Sequence, residues 1–198
     1  MKRGWMRFWV SGSALALVVS LLAGAQTPKA APKKTSAHKP NELTLAGLRP
    51  GKDTVERAVN LYRQFNNEQT PRGDESVWFD HCRDASLTVD SDAGRKIQEI
   101  RVAPWGGSTA DCAGVPPGPW KTGLGLRLAD SMAKIVQLYG EPDSKSPSSK
   151  DGQQLELWYY AFDWAGPDVP QVMEVLCAVG QDGKPGRVVE ITLAAPSL

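Results

Sequence analysis

Histidine and cysteine are scarce in this chain. Two histidines, His38 and His81, and three cysteines, Cys82, Cys112 and Cys177, occur in 198 residues. Two histidines so far apart in sequence do not supply a usual zinc ligand set. There is no Gly-rich phosphate loop, no Gly-x-Ser-x-Gly elbow and no carboxylate pair at a clear strand end, so the motifs of phosphoryl transfer and serine hydrolysis are missing. His81 and Cys82 are adjacent, but neighbours on a strand point to opposite faces and do not readily meet. The expectation is a protein that is not an enzyme, with no catalytic residue, no cofactor and no metal. Long apolar runs are also lacking after residue 25, so no later segment reads as a membrane span.

What is present begins at the N-terminus. Residues 1–25 combine Lys2, Arg3 and Arg7, an apolar stretch from Phe8 to Leu22, and the small residues Ala23, Gly24 and Ala25. That is the three-part pattern of a secretory signal peptide. An uncleaved N-terminal anchor is the alternative, since about 18 apolar residues is the lower edge for spanning a bilayer.

The formal net charge of +1 comes from 23 basic and 22 acidic residues and hides an asymmetry. Residues 1–25 hold 3 basic residues and residues 26–41 hold Lys29, Lys33, Lys34 and Lys39 with no acid, which leaves 16 basic against 22 acidic from Glu42 onward, or −6. A body of that sign argues against nucleic acid as the main partner. Residues 26–41 have three prolines and no large apolar side chain, so they cannot bury enough surface to offset the entropy of ordering and are expected to be disordered. They read as a spacer of about 22 Å between its ends, or as a weak contact for membrane or wall polymer through the four lysines.

Two similar phrases organise the remainder. Gly47-Leu48-Arg49 matches Gly125-Leu126-Arg127. Asp53 matches Asp130, Ala58-Val59 matches Ile135-Val136, and Leu61-Tyr62 matches Leu138-Tyr139. The apolar positions fall at i, i+3, i+4, i+6 and i+7, which predicts one face of a helix in each copy. The aspartate in front is the expected N-cap. Glu56 lies three residues after Asp53, as in a capping box. Gly140 and Pro142 stop the second helix. Farther on, residues 86–104 and 176–196 each read as strand, Asp/Gly turn, strand; Asp90, Asp92 and Asp182 fit turn positions and match no calcium loop.

The fold class expected is α+β, with two tandem units, each placing helix on one face of a small antiparallel sheet. The boundaries are a signal peptide at 1–25, a disordered basic linker at 26–41, a first repeat at 42–104, a Gly/Pro-rich connector at 105–120 and a second repeat at 121–198. Residues 143–154 read as a polar loop.

The layout resembles two known groups. Helices introduced by G-L/M-x-x-G-x-[ST] and closed by L-G-x-P, followed by a small antiparallel sheet, occur as a tandem pair in the β-lactamase inhibitory protein. They occur once in the small lipoprotein of the outer-membrane barrel-assembly machine. The matching residues here are Gly47, Leu48, Gly51, Thr54 and Leu61, then Gly125, Leu126, Ser131, Val136, Tyr139, Gly140 and Pro142. The resemblance implies a fold of helices on an antiparallel sheet. The lipoprotein's lipidation cysteine and the inhibitor's one disulfide per half have no counterpart here.

Three cysteines in an exported chain leave one over. Cys177 alternates with Val175 and Val179 and reads as a buried thiol acting as a small hydrophobe. Cys82 and Cys112 are then the candidate disulfide, with an intermolecular bridge at Cys112 as the alternative.

In residues 155–166, strand alternation separates Leu155, Leu157, Tyr159 and Ala161 from Glu156, Trp158, Tyr160, Phe162 and Trp164. The first set is assigned to the core face. The second, with Trp78 from the first copy, is assigned to an open face that binds a partner, since large aromatics suit interfaces. An ordinary core role for the aromatics is the alternative. Trp105 and Trp120 either rim the same surface or plug the seam between copies. The function expected is an exported, periplasmic or secreted, non-catalytic module that binds an as yet unidentified protein through its open sheet face. The alternative is a structural or assembly accessory of the cell envelope held near membrane or wall polymer by its basic tail.

Overall fold

The computed structural model describes residues 41–69, 73–107, 118–163, 170–180 and 186–195. The signal peptide, nearly all of the basic linker with its four lysines and His38, Cys112, Trp164 and Asp182 lie outside the described residues.

Two helices form where the periodicity predicts them, α1 (Val55–Tyr62) and α2 (Met132–Tyr139). Their caps differ from expectation. Thr54 and Ser131 occupy the N-cap positions, and Ser131 Oγ accepts from Lys134 N at 3.3 Å. The aspartates one residue earlier brace the preceding turn instead: Asp53 Oδ2 accepts from Arg49 N and Asp130 Oδ2 from Arg127 N, both at 2.8 Å. Glu56 pairs with Arg95 rather than closing a capping box. In α1, Val55, Ala58 and Tyr62 are buried while Val59 and Leu61 stay exposed, so the buried stripe is narrower than predicted.

Eight described strands form one antiparallel sheet: β1 (Asn66–Gln69), β2 (Glu75–Asp80), β3 (Ala85–Ser91), β4 (Ile97–Ala103), β5 (Ser144–Lys150), β6 (Gln153–Asp163), β7 (Pro170–Ala178) and β8 (Arg187–Ala194). The order is β1-β2-β3-β4-β8-β7-β6-β5, with the two runs meeting at β4 and β8. The architecture is α+β. Each run carries a register shift in the hairpin nearest the meeting line, at Asp90/Ser91 and at Leu176/Cys177. β5 corrects the expectation of a polar loop at 143–154. Its side chains are almost all exposed, and backbone pairing with β6 from Ser144 to Lys150 holds it. A polar edge strand needs no apolar face of its own, and Pro147 with Lys145 and Lys150 suits an edge that must not recruit another strand. The turn uses Asp151 and Gly152, both at positive φ, as a two-residue Asp-Gly hairpin requires.

One row of directly opposed residues crosses the sheet: Trp78, Leu87, Val102, Ile191, Val175 and Trp158. Opposed residues share a face, and every member of this row is buried. Tyr62 of α1 meets Trp78 at 6.1 Å between ring centroids, and Tyr139 of α2 meets Tyr160 at 5.8 Å and Phe162 at 6.0 Å. Both helices therefore cover the same face. The segments leading into the helices pair with each other through Ala46 N to Lys121 O at 2.8 Å and Gly123 N to Thr44 O at 3.0 Å.

A polar cluster is sealed beneath that pairing. Glu42 is 2% exposed. Its carboxylate accepts from the backbone N of Leu43, Thr44 and Leu124 and from Tyr139 Oη at 2.7 Å. Tyr139 Oη also lies 2.6 Å from Thr122 Oγ1. A buried carboxylate is tolerable because several donors meet it. Burial first, and the Glu42 charge second, push the Tyr139 hydroxyl far above its ordinary range.

Candidate functional site

The structure overturns the assignment of faces on β6. Trp158, Tyr160 and Phe162 are 4%, 0% and 2% exposed, and Trp78 is 1% exposed. They form the core beneath the helices, not a partner-binding surface. Tyr160 donates from its hydroxyl to Gly140 O at 3.0 Å and stacks on Phe162. Trp158 Nε1 donates to Glu156 Oε2 at 2.6 Å, and Lys145 Nζ sits 4.1 Å from its ring centre. The physical reason is volume. Short helices over a wide sheet leave a deep gap, and rings fill it where Leu and Ala do not.

The alternate set, Leu157, Tyr159 and Ala161, therefore takes the face away from the helices; Leu157 and Tyr159 are half-buried and Ala161 is exposed. On this open face Arg101 of β4 lies 3.0 Å from Glu99 and 3.7 Å from Asp90. Burial, then Glu75 and Glu99, push the Asp90 carboxyl up to about 6. Lys150 pairs with Glu190 at 2.7 Å. Carboxylates outnumber cations across this face, which matches the acidic balance of the body.

Just past β4, a groove of mixed apolar and polar lining, including Asp151 and Gln153, opens on the same face. It measures about 310 Å³ and is walled by Pro104, Trp105, Leu155 and Val189, with Lys150 and Glu190 at its rim. Trp105 is 39% exposed. Its ring lies 4.5 Å from His81 and 5.3 Å from Phe79, centre to centre. The ring also occupies the space that a Cβ on Gly107 would need, 1.7 Å away. Gly106 N donates to Asp84 Oδ1 at 2.8 Å and fixes the turn. Glycine at 107 is thus required for Trp105 to lie against the chain.

Trp120 has a different fate: it is 6% exposed and packs against Phe65 and Tyr62, plugging the seam on the helix face. His81 and Cys82 lie in the turn after β2 rather than on a strand. Cys82 is disulfide-bonded, whereas Cys177 is free and buried, with burial raising its thiol to about 12. Among the described residues no group of three or more His, Cys, Asp and Glu is placed to hold a metal. Among them, too, no helix is long and apolar enough to cross a membrane.

The sequence left Trp105 open between rimming a binding surface and plugging the seam, because an isolated Trp among Gly and Pro carries no periodic signal. The adjacent Gly-Gly pair, which lets a ring lie on the backbone, was the available hint.

No family model matches the chain. No curated protein matches it. Among solved structures, it is similar to a DUF4309 family protein, YjgB, from Bacillus subtilis subsp. subtilis str. 168, at 12% sequence identity with a TM-score of 0.43, over 78% of this chain and 88% of that one.

Proposed function

We propose that the chain is an exported, non-catalytic module that binds a protein partner on the open face of its sheet, at the groove beside Trp105. The supporting observation is a 39%-exposed tryptophan held against its own backbone at the rim of a groove that pairs apolar side chains with charged ones on the face without helices. A large rigid aromatic that loses little entropy on contact suits an interface anchor. Asp151 and Glu190 in the groove's lining favour a partner with a basic rim around an apolar side chain.

The two halves are read as tandem units. Each has an aspartate bracing the turn before an eight-residue helix, a tyrosine closing that helix, and a register shift in the matching hairpin. We place the units at 42–104 and 121–198, with 105–120 as connector, 26–41 as a basic linker and 1–25 as a cleaved export signal. Cys82 is paired with Cys112 in this reading.

Affinity capture tests it, with the full chain, its Trp105→Ser variant and its Gly107→Ala variant as baits. A protein retained by the native bait and lost from both variants supports the groove. Retention unchanged by either variant, with circular dichroism showing all three folded, sinks it. A second reading, an envelope accessory held by Lys29, Lys33, Lys34 and Lys39, rests on the charge contrast between tail and body. It predicts loss of envelope association when those four lysines become Gln.

A further inference from the structure

The helix-covered side carries a shallow depression of about 350 Å³ between the C-terminal end of α1 and the paired segments that lead into the two helices. Thr44, Gly47, Leu61, Gln64, Lys121 and Gly123 line it. The Tyr62 hydroxyl donates to Ala46 O and holds α1 against the first segment. The two segments run antiparallel, with Leu45 opposite Thr122. In that register Leu43 falls opposite Leu124, and the single Glu42 carboxylate accepts from both of their backbone amides at 2.9 Å.

Three leucines stand out of this surface: Leu43, Leu61 and Leu124 are 43%, 42% and 41% exposed. Leu61 forms part of the wall. Leu43 and Leu124 adjoin Thr44 and Gly123, which line the depression and are hydrogen-bonded to each other. A single exposed leucine is ordinary, whereas three beside one depression form a patch. Covering the patch costs little in polar groups. The backbone beneath it is paired, Ala46 N to Lys121 O and Gly123 N to Thr44 O, and the Glu42 carboxylate is already sealed inside. The charged residues lining this depression and the adjoining one at Arg57, Asn60 and Leu61 are Lys121 and Arg57, both cations. Arg57 also lies 3.3 Å from Asp53.

The chain itself indicates the occupant. It enters the described body at Asn41, two residues before Leu43. The preceding sequence holds Lys29, Lys33, Lys34 and Lys39 with no acid from 26 to 41, and the apolar run from Phe8 to Leu22. Basic and apolar segments of this kind favour an anionic bilayer. A preceding segment held at a bilayer brings Leu43 and its neighbours there at high local concentration, where a weak contact suffices. We propose that Leu43, Leu61 and Leu124 dock this side of the protein onto an anionic lipid bilayer, with Lys121 and Arg57 against the phosphates. The open face and Trp105 are then turned away from the membrane. This docking rests on the basic-tail reading for its approach to the bilayer and is independent of the protein-binding groove.

The test places an NBD fluorophore on the full chain at Gln64→Cys, inside the depression, or at Ala161→Cys, on the open face, with the native chain labelled identically as the blank. The vesicles are an equal mixture of phosphatidylcholine and phosphatidylglycerol. They are expected to shift the Gln64→Cys emission to the blue and make it quenchable by nitroxide-labelled lipid, and to leave Ala161→Cys unchanged. Leu43→Ser/Leu61→Ser/Leu124→Ser is expected to abolish the shift while the chain still sediments with the vesicles. Lys121→Gln is expected to lower the ratio of docked to undocked label about fivefold, the worth of one cation beside an anionic surface. A chain that binds vesicles while the Gln64→Cys label keeps its aqueous emission overturns this proposal and spares the tail reading; a chain that does not bind them overturns both. The proposal also falls if the two labels shift alike, or if the triple serine variant keeps the shift. A shift that needs no vesicles and grows with protein concentration assigns the patch to a second copy and overturns it as well. The comparison of the two labels keeps all three leucines, so it decides the matter even if the triple variant fails to fold.

Discussion

Tyr159 and Tyr160 are neighbours on β6 and differ only in which way they face. Tyr160 is fully buried, stacked on Phe162 and anchored to Gly140, while Tyr159 is half-buried on the open face. The same contrast runs across the sheet. The covered face is rings and branched aliphatics, and among the described residues its buried side-chain polar atoms are satisfied, Trp120 Nε1 excepted. The open face is a mixture of half-buried apolar side chains and carboxylates around Arg101. Aromatic content alone therefore does not identify a binding surface, because a ring is as useful to a core as to an interface.

The comparison breaks most visibly on β6. Tyr160→Ala should cost about 4 kcal/mol, as expected for emptying a fully packed ring site. Tyr159→Ser should cost about 0.5 kcal/mol. Urea unfolding of the two variants checks this, and equal losses would mean that the face assignment is wrong.

The covered face is closed at one end by the turn carrying Cys82 and Arg83. Cys82→Ser should lower stability by about 3.5 kcal/mol if Cys82 closes a loop of roughly 30 residues to Cys112. A reductant should destabilise the native protein similarly and leave the variant unchanged. Peptide mapping without reduction would identify the bonded partner.

Tyr139→Phe deletes the hydroxyl between Glu42 and Thr122 while keeping the ring between Tyr160 and Phe162. A loss of about 2 kcal/mol is expected, since one donor is withdrawn from a buried carboxylate. A loss near zero in thermal unfolding would show that Leu43, Thr44 and Leu124 satisfy Glu42 without it.

The smallest effect belongs to the open face. Asp90 is surrounded by Glu75, Glu99 and Asp74, with Arg101 opposing them, and titrates near 6 rather than at its ordinary 3.8. The folded protein then holds a proton more tightly than the unfolded chain, so this group's contribution to stability falls as pH rises from about 4 to 6 and is flat above. Asp90→Asn should remove that slope and raise stability at pH 7 by less than about 1 kcal/mol, because the site is half-exposed and screened. Unfolding free energies at pH 4, 5, 6 and 7 would reveal it.

Several elements were legible because local rules decide them. The two helices follow from a 3.6-residue apolar period, the hairpins from Asp and Gly between β-branched runs, and the buried state of Cys177 from its alternation with Val175. Other features were not. The capping aspartates were misread because an acid before a helix serves equally well to brace the preceding turn. β5 was hidden because an exposed edge strand is held by backbone bonds that leave no apolar pattern.

The amino-acid sequence by itself determined the α+β class, the positions of α1 and α2, and β6 as a continuous strand with two opposed sets of side chains. Only the tertiary structure decided which set faces the helices. Both sets are apolar enough to be buried, so a period of two does not choose between them. The choice came from the depth of the gap under α2, which Trp158, Tyr160 and Phe162 fill and Leu157, Tyr159 and Ala161 do not. Two cavities have the same origin, since Trp105 and Leu155 line one and Asp80 and Arg127 line the other only after distant strands and segments come together.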